Sequence, residues 1–207
     1  EVCDPTDIRL SGEASPKVYG TVGGDRWSGL SLTQMSIGYE VTQTPLQTLS
    51  LYNAIANNGQ MMRPQLVERL ETNGTVVREI EPEVVNQSIC SPATLLACQG
   101  MMKRVADPNG QGTAHYIFAK SPYTVAGKTG TARIAGPNGY DGRYRASFAG
   151  YFPAEAPRYS CIVVIADTRS GVYYGSSIAG PVFRELANKV YATDPSFHES
   201  SADSAQR

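Results

Sequence analysis

The sequence predicts an α+β fold, one antiparallel β-sheet packed with several helices, on three observations. Helix-start signals mark two segments in the first half of the chain. Three strand candidates crowd into the last third. The connection between the second and third of these, Pro153-Ala154-Glu155-Ala156-Pro157, is too short for a parallel crossover, so those strands run antiparallel.

Residues 1–35 are rich in Gly, Ser, Pro and Asp, lack periodicity and read as a long irregular segment. In the helix that follows, Thr44 is the cap, Pro45 takes the first position, and Gln47 completes a capping box. Leu46, Leu49, Tyr52 or Asn53, and Ala56 form its apolar stripe, and Gly59 stops it. Segments 65–70 and 75–80 flank Asn73-Gly74, whose tolerance of positive φ predicts a hairpin on a type I′ turn. Ser91-Pro92 opens a second helix that runs to about Val105. After a loop at 107–112, Thr113-Ala114 opens another short helix. Segments 123–134, 145–152 and 158–167 are the three strands, rich in β-branched and aromatic residues. The last helix, about 177–192, repeats Ile178, Val182, Leu186 and Val190 every four residues and needs a face to bury, which the sheet provides. The Ser-, Asp- and Glu-rich stretch 194–207 is predicted to be a disordered tail.

At 207 residues the chain is long enough for one well-buried domain, and length alone suggests no second. Its 18 basic and 19 acidic residues give a net charge of -1, which supplies no attraction to nucleic acid or to an anionic membrane. No apolar run reaches the roughly eighteen residues of a membrane span. The start, Glu1-Val2-Cys3-Asp4-Pro5, has neither Met nor an apolar leader, so a processed product or a piece of a longer chain is expected. Cys3, Cys90, Cys98 and Cys161 form neither a disulfide framework nor a tetrahedral metal pattern, and no cofactor is expected. Cys98, in helical line with Leu95, Met102 and Val105, and Cys161, inside an apolar run, read as small buried hydrophobes. His115 and His198 support no Ser/His/Asp arrangement.

Chemistry concentrates in Val125-Ala126-Gly127-Lys128-Thr129-Gly130-Thr131-Ala132. Gly127-Lys128-Thr129 fails as a phosphate loop, because position 122 is Pro where that loop needs Gly, and no helix follows. The alternative is a Lys-Thr-Gly strand of the kind found in serine acyltransferases that handle D-alanyl peptides and β-lactams. Lys128 would set a positive charge beside the nucleophile and favour the neutral, basic form of a second lysine. Thr129 offers a hydroxyl to the substrate's terminal carboxylate. Gly130 lets an extended substrate lie against the strand. The Thr131 N–H would be one of two donors for the oxyanion. The bland alternative for the tripeptide is a strand bulge at Gly130 beside a solvated lysine.

The surroundings of this strand resemble one family, the class B penicillin-binding proteins. The resemblance runs from about Leu10 to Val190: Ile8-Arg9-Leu10-Ser11-Gly12-Glu13 with Trp27 beyond it, then Ser36-Ile37-Gly38-Tyr39 and Thr42-Gln43-Thr44-Pro45-Leu46-Gln47. It continues through Tyr52-Asn53-Ala54-Ile55-Ala56-Asn57-Asn58-Gly59, Arg63-Pro64, Gly112-Thr113-Ala114 and Ala146-Ser147-Phe148-Ala149-Gly150-Tyr151-Phe152-Pro153. Tyr173-Tyr174-Gly175 and Ala179-Gly180-Pro181-Val182-Phe183 complete it. The resemblance implies the C-terminal part, residues 1–193, of a peptidoglycan D,D-transpeptidase domain of the division (septal) type. It implies catalytic roles for Lys128 and Thr131, and substrate contacts at Thr129, Gly130 and Thr131. The implied partners are peptidoglycan stem peptides, β-lactams, cell-division or cell-wall synthesis proteins, and the N-terminal remainder of the same protein. The implied location is the periplasmic face of the inner membrane, with the anchor in an N-terminal segment absent here.

This chain departs from the family pattern in two places. No serine is followed three positions later by Lys, and none two positions later by Asn. The family's Ser-x-x-Lys and Ser-x-Asn elements both precede Lys-Thr-Gly. The expectation is therefore a chain that begins after them, lacks the sheet's first two strands, leaves the Lys-Thr-Gly strand as an unpaired edge and is inert alone. A β-lactamase, a β-lactam sensor and a non-catalytic division scaffold of the same fold remain open. The 141–145 loop reads as a solvated hairpin turn, and most of the twelve tyrosines as packing residues.

Overall fold

The computed structural model describes residues 5–8, 10–18, 27–136, 139–168 and 171–198. Its contacts divide the chain into two units, Glu1–Pro92 and Ala93–Arg207, a division that length gives no reason to expect. Cys3 and residues 199–207 lie outside the described residues.

In the first unit the elements are β1 (Lys17–Val18), α1 (Ser31–Ser36), β2 (Val41–Thr42), α2 (Pro45–Ala56), β3 (Met61–Met62), β4 (Arg69–Thr72), β5 (Thr75–Glu79) and β6 (Val84–Asn86). The capping box of α2 forms as its sequence predicts. The Gln47 N–H donates to the Thr44 hydroxyl at 3.2 Å, and the Thr44 N–H donates to Oε1 of Gln47 at 2.8 Å. Thr44→Ala is therefore expected to destabilise the fold by about 1 kcal/mol, seen as a lower urea midpoint at unchanged m-value. The fully buried side chains of α2 are Gln47 and Ala54. The stripe predicted from hydrophobicity is only half buried; Gln47 turns inward instead, its amide oxygen satisfied by the Thr44 N–H within the cap. Asn73 and Gly74 adopt φ of 52° and 78°, and β4 and β5 pair around them as an antiparallel hairpin. Two short ladders, β1 with β2 and β3 with β6, and helix α1 form where the sequence predicts irregular chain or no element. Strands of two or three residues are too short to show a period of two.

In the second unit, α3 (Pro92–Ala106) and α4 (His115–Phe118) precede the strands β7 (Ala126–Gly136), β8 (Gly139–Phe152) and β9 (Tyr159–Thr168), followed by α5 (Gly175–Thr193). The three strands form one antiparallel sheet in the order β7-β8-β9. Phe148 and Phe152 alternate onto one face, where they meet Phe118 of α4 and Phe183 of α5 in a cluster of buried rings. Cys161 packs against this cluster half-buried, and burial pushes its thiol pKa up. Cys98 is half-buried too. Lys103 of α3 pairs with Glu155 in the β8–β9 turn, and this pair and the Thr124 hydroxyl hold the Glu155 carboxyl below its usual range.

The face of α5 is a correction to the predicted one. The buried residues are Gly175, Ala179, Gly180, Phe183 and Ala187, whereas Val182 and Leu186 are 40% and 46% exposed. The helix is turned by one residue, about 100°. Small residues let its backbone approach the sheet and α4, with Phe183 filling the space between; a Cβ on Gly180 would lie 2.4 Å from Cδ1 of Ile117. Within the stretch predicted as a disordered tail, residues 194–198 are structured. Pro195–Phe197 form a 3-10 turn capped by Asp194, whose carboxylate accepts the Ser196 N–H at 2.9 Å. The Tyr159 hydroxyl donates to Asp194 at 2.5 Å and, with the Ser196 donors, lowers that carboxyl to about 2. Phe197 packs on Tyr159 and Tyr191.

Candidate functional site

β7 is an edge strand: among the described residues no strand pairs with its outer side. An edge exposes a row of backbone donors and acceptors to which an extended peptide can add. The register with β8 places Lys128 opposite Ala149, Thr129 opposite Phe148, Gly130 opposite Ser147 and Thr131 opposite Ala146. Phe148 faces α5, so Thr129 and Thr131 share the α5 side of the sheet, and Lys128 and Gly130 lie on the other.

Each of the four predicted residues is held in a definite way. Lys128 is exposed, and its Nζ donates to the Thr129 carbonyl at 2.7 Å. It borders an open cleft of about 550 Å³ lined also by Met101, Arg104 and Val105 of α3 and by the 107–113 loop. The Thr129 hydroxyl lies 3.2 Å from that of Thr113. Gly130 needs its bare Cα for a reason the sequence does not reveal, since a Cβ there would lie 2.3 Å from Oγ of Ser147. The Thr131 hydroxyl accepts a hydrogen bond from the Gly175 N–H at the start of α5, at 3.1 Å. The Lys-Thr-Gly-Thr segment is thereby fixed from the α3–α4 connection at one end and from α5 at the other.

Two groups beside the strand were not legible as site residues in the sequence. Thr113 is one. The other is the aromatic cluster approaching α5, where Tyr144 stacks on Tyr173 (centroids 4.2 Å, planes 11° apart) and Tyr173 meets Tyr174 at 4.7 Å. The neighbouring Tyr174 hydroxyl pushes the Tyr173 phenol up. Arg133, two residues beyond Thr131, places its guanidinium 4.9 Å from the Tyr140 ring. Both histidines are structural. His115 donates from Nδ1 to the Gly112 carbonyl at 2.7 Å, and His198 from Nε2 to the Tyr191 carbonyl at 2.9 Å. Among the described residues no group of three His, Cys, Asp or Glu side chains is placed to hold a metal ion.

Residues 5–188 match the family model described as the penicillin binding protein transpeptidase domain. Penicillin-binding protein PbpB of Mycolicibacterium smegmatis is 35% identical over 195 residues, covering 88% of this chain and 29% of that protein. Peptidoglycan D,D-transpeptidase FtsI of Escherichia coli K12 is 34% identical over 169 residues, covering 81% of this chain and 26% of that protein. The chain thus spans less than a third of the length of these curated relatives. Among solved structures, penicillin binding protein 3 of Mycobacterium tuberculosis superposes with a TM-score of 0.74 at 30% identity, covering 92% of this chain and 43% of that one. An α+β fold with an antiparallel sheet, a Lys-Thr-Gly edge strand and these matches agree, and the chain belongs to the penicillin-binding protein transpeptidase family.

Proposed function

We propose that this chain is the substrate-strand portion of a serine D,D-transpeptidase of the division type, which cross-links peptidoglycan stem peptides through an acyl-enzyme and is acylated by β-lactams. The observation that carries this reading is the edge strand itself, with Lys128, Thr129, Gly130 and Thr131 in sequence on a strand whose outer side pairs with no other strand among the described residues. Its relatives are named as D,D-transpeptidases and penicillin-binding proteins, and the M. tuberculosis relative has been solved with aztreonam and with ampicillin.

In the reaction, a serine Oγ supplied from outside this chain attacks the carbonyl of the penultimate D-alanine. The serine's proton passes to its partner lysine, the Thr131 N–H receives the oxyanion, and the terminal D-alanine leaves as an amine that takes that proton. The amine of a second stem peptide then attacks the acyl-enzyme, forms the cross-link and releases the serine. The Lys128 charge keeps the serine's partner lysine neutral and basic, and the Thr129 hydroxyl donates to the terminal carboxylate. The stem peptide pairs along the β7 edge beside Gly130. The site requires no metal or cofactor for this chemistry. Among the described residues no helix is long and apolar enough to cross a membrane. The proposed setting is the periplasmic face of the inner membrane, with cell-division or cell-wall synthesis proteins as partners.

The test is exposure to a fluorescent penicillin followed by intact-mass measurement. The 207-residue chain should carry no adduct, and the full-length protein should carry one, on a serine outside residues 1–207. An adduct on this chain would mean that one of its own serines is activated. An unlabelled full-length protein would favour a scaffold that no longer acylates.

A further inference from the structure

The Gly112-Thr113-Ala114 segment takes no part in the roles above, yet the fold holds it from both ends. A Cβ on Gly112 would lie 2.2 Å from the Arg104 carbonyl oxygen and 2.4 Å from that of Val105. Only glycine lets the chain lie this close to the last turn of α3. Ala114 is fully buried, and its N–H donates to the Val105 carbonyl at 2.9 Å. His115 ties back to the Gly112 carbonyl through its ring. Between these anchors the Thr113 side chain is exposed, so packing does not explain its identity. Its hydroxyl is hydrogen-bonded to that of Thr129, 3.2 Å away.

Proton counting gives this pair a direction. A hydroxyl has one proton to donate, and a carboxylate can only accept. If Thr129 donates to the substrate's carboxylate, it has none left for Thr113, so Thr113 must be the donor between the two hydroxyls. A proton received at the Thr129 oxygen polarises its own O–H. It also excludes the rotamer in which that O–H points at Thr113. The bond seen for Lys128 goes from its Nζ to the Thr129 carbonyl, whereas the contact at the Thr129 hydroxyl comes from Thr113.

We infer that Thr113 is a positioning residue for recognition of the substrate's terminal carboxylate, acting through Thr129 without touching the substrate. The inference rests on the role proposed above for Thr129. It explains the tripeptide as a unit, with Gly112 and Ala114 fixing the backbone and Thr113 delivering the hydroxyl.

The test compares second-order acylation rates of the full-length protein by benzylpenicillin, which bears the carboxylate, and by its methyl ester, which does not. Thr113→Val should slow acylation by the free acid about fivefold, the worth of one neutral hydrogen bond, and leave the ester rate unchanged. Thr113→Ala should show the same split, and Thr113→Ser should behave as wild type. Equal slowing with acid and ester would overturn the inference in favour of a general structural role. An unchanged acid rate would overturn it by showing that water replaces the hydroxyl. A wild-type protein that neither compound acylates would overturn the transpeptidase reading itself, and this inference with it.

Discussion

Gly175→Ala is expected to slow acylation of the full-length protein by about a hundredfold, the scale on which misplacing a reacting group by an ångström acts. Gly175 stands over the Gly130–Ser147 rung of the sheet. A Cβ there would lie 2.3 Å from the Ser147 carbonyl oxygen, 2.5 Å from that of Gly130 and 3.1 Å from the Gly130 nitrogen. All three are backbone atoms and cannot rotate aside. Either α5 lifts or the strand beneath it yields. Lifting α5 would pull Ala179 and Phe183, both fully buried, out of the core, whereas β7, among the described residues, is paired with a strand on one side and is tied on its other flank through single side-chain hydrogen bonds. The strand should therefore yield at Gly130, which carries the next N–H, that of Thr131, away from the oxyanion. The same shift strains the bond from the Gly175 N–H to the Thr131 hydroxyl. Single-turnover labelling with a fluorescent penicillin reads the effect. An unchanged rate would remove the Thr131 N–H from the proposed oxyanion role.

What could be read from the sequence was what is encoded locally. Thr44-Pro45-x-Gln47 writes its own cap, Asn73-Gly74 its own turn, and the 153–157 connection its own antiparallel pairing. Lys128 to Thr131 could be placed on a strand because no helix signal follows them, and the family resemblance supplied their roles. What could not be read depends on distant partners. Nothing near Gly175 indicates that the backbone of residues 130 and 147 lies beneath it, and nothing near Gly112 points to the carbonyls of Arg104 and Val105. The contact between Thr113 and Thr129 joins residues sixteen apart across a loop and a short helix. The hydrophobic pattern of α5 contains two parallel stripes one residue apart. Scoring by hydrophobicity selects Ile178, Val182, Leu186 and Val190. The sheet side takes Ala179, Phe183 and Ala187, with Val190 of the predicted stripe half-buried against the same cluster, because close approach rewards small residues around one large ring.

That choice of face leads to the largest stability effect expected in this chain. Phe183→Ala should cost about 3–5 kcal/mol, measured as a fall in unfolding free energy in urea. Phe183 is fully buried and meets three rings edge-on or nearly so: Phe118 at 5.9 Å, Phe148 at 4.8 Å and Phe152 at 6.0 Å. Each such pair adds about 0.5–1.5 kcal/mol beyond the area it buries. The cavity left by alanine would not close, because Phe148 and Phe152 are fixed by the β8 pairings and the helix neighbours Ala179 and Ala187 are too small to reach across. Leu186→Ala provides the contrast. At 46% exposure it should cost at most about 1 kcal/mol, since a half-solvated side chain leaves little cavity. If Leu186→Ala proved the costlier change, α5 would bury its other stripe. Gly175 would then not rest on the Lys-Thr-Gly strand, and the support proposed for Thr131 would fall with it.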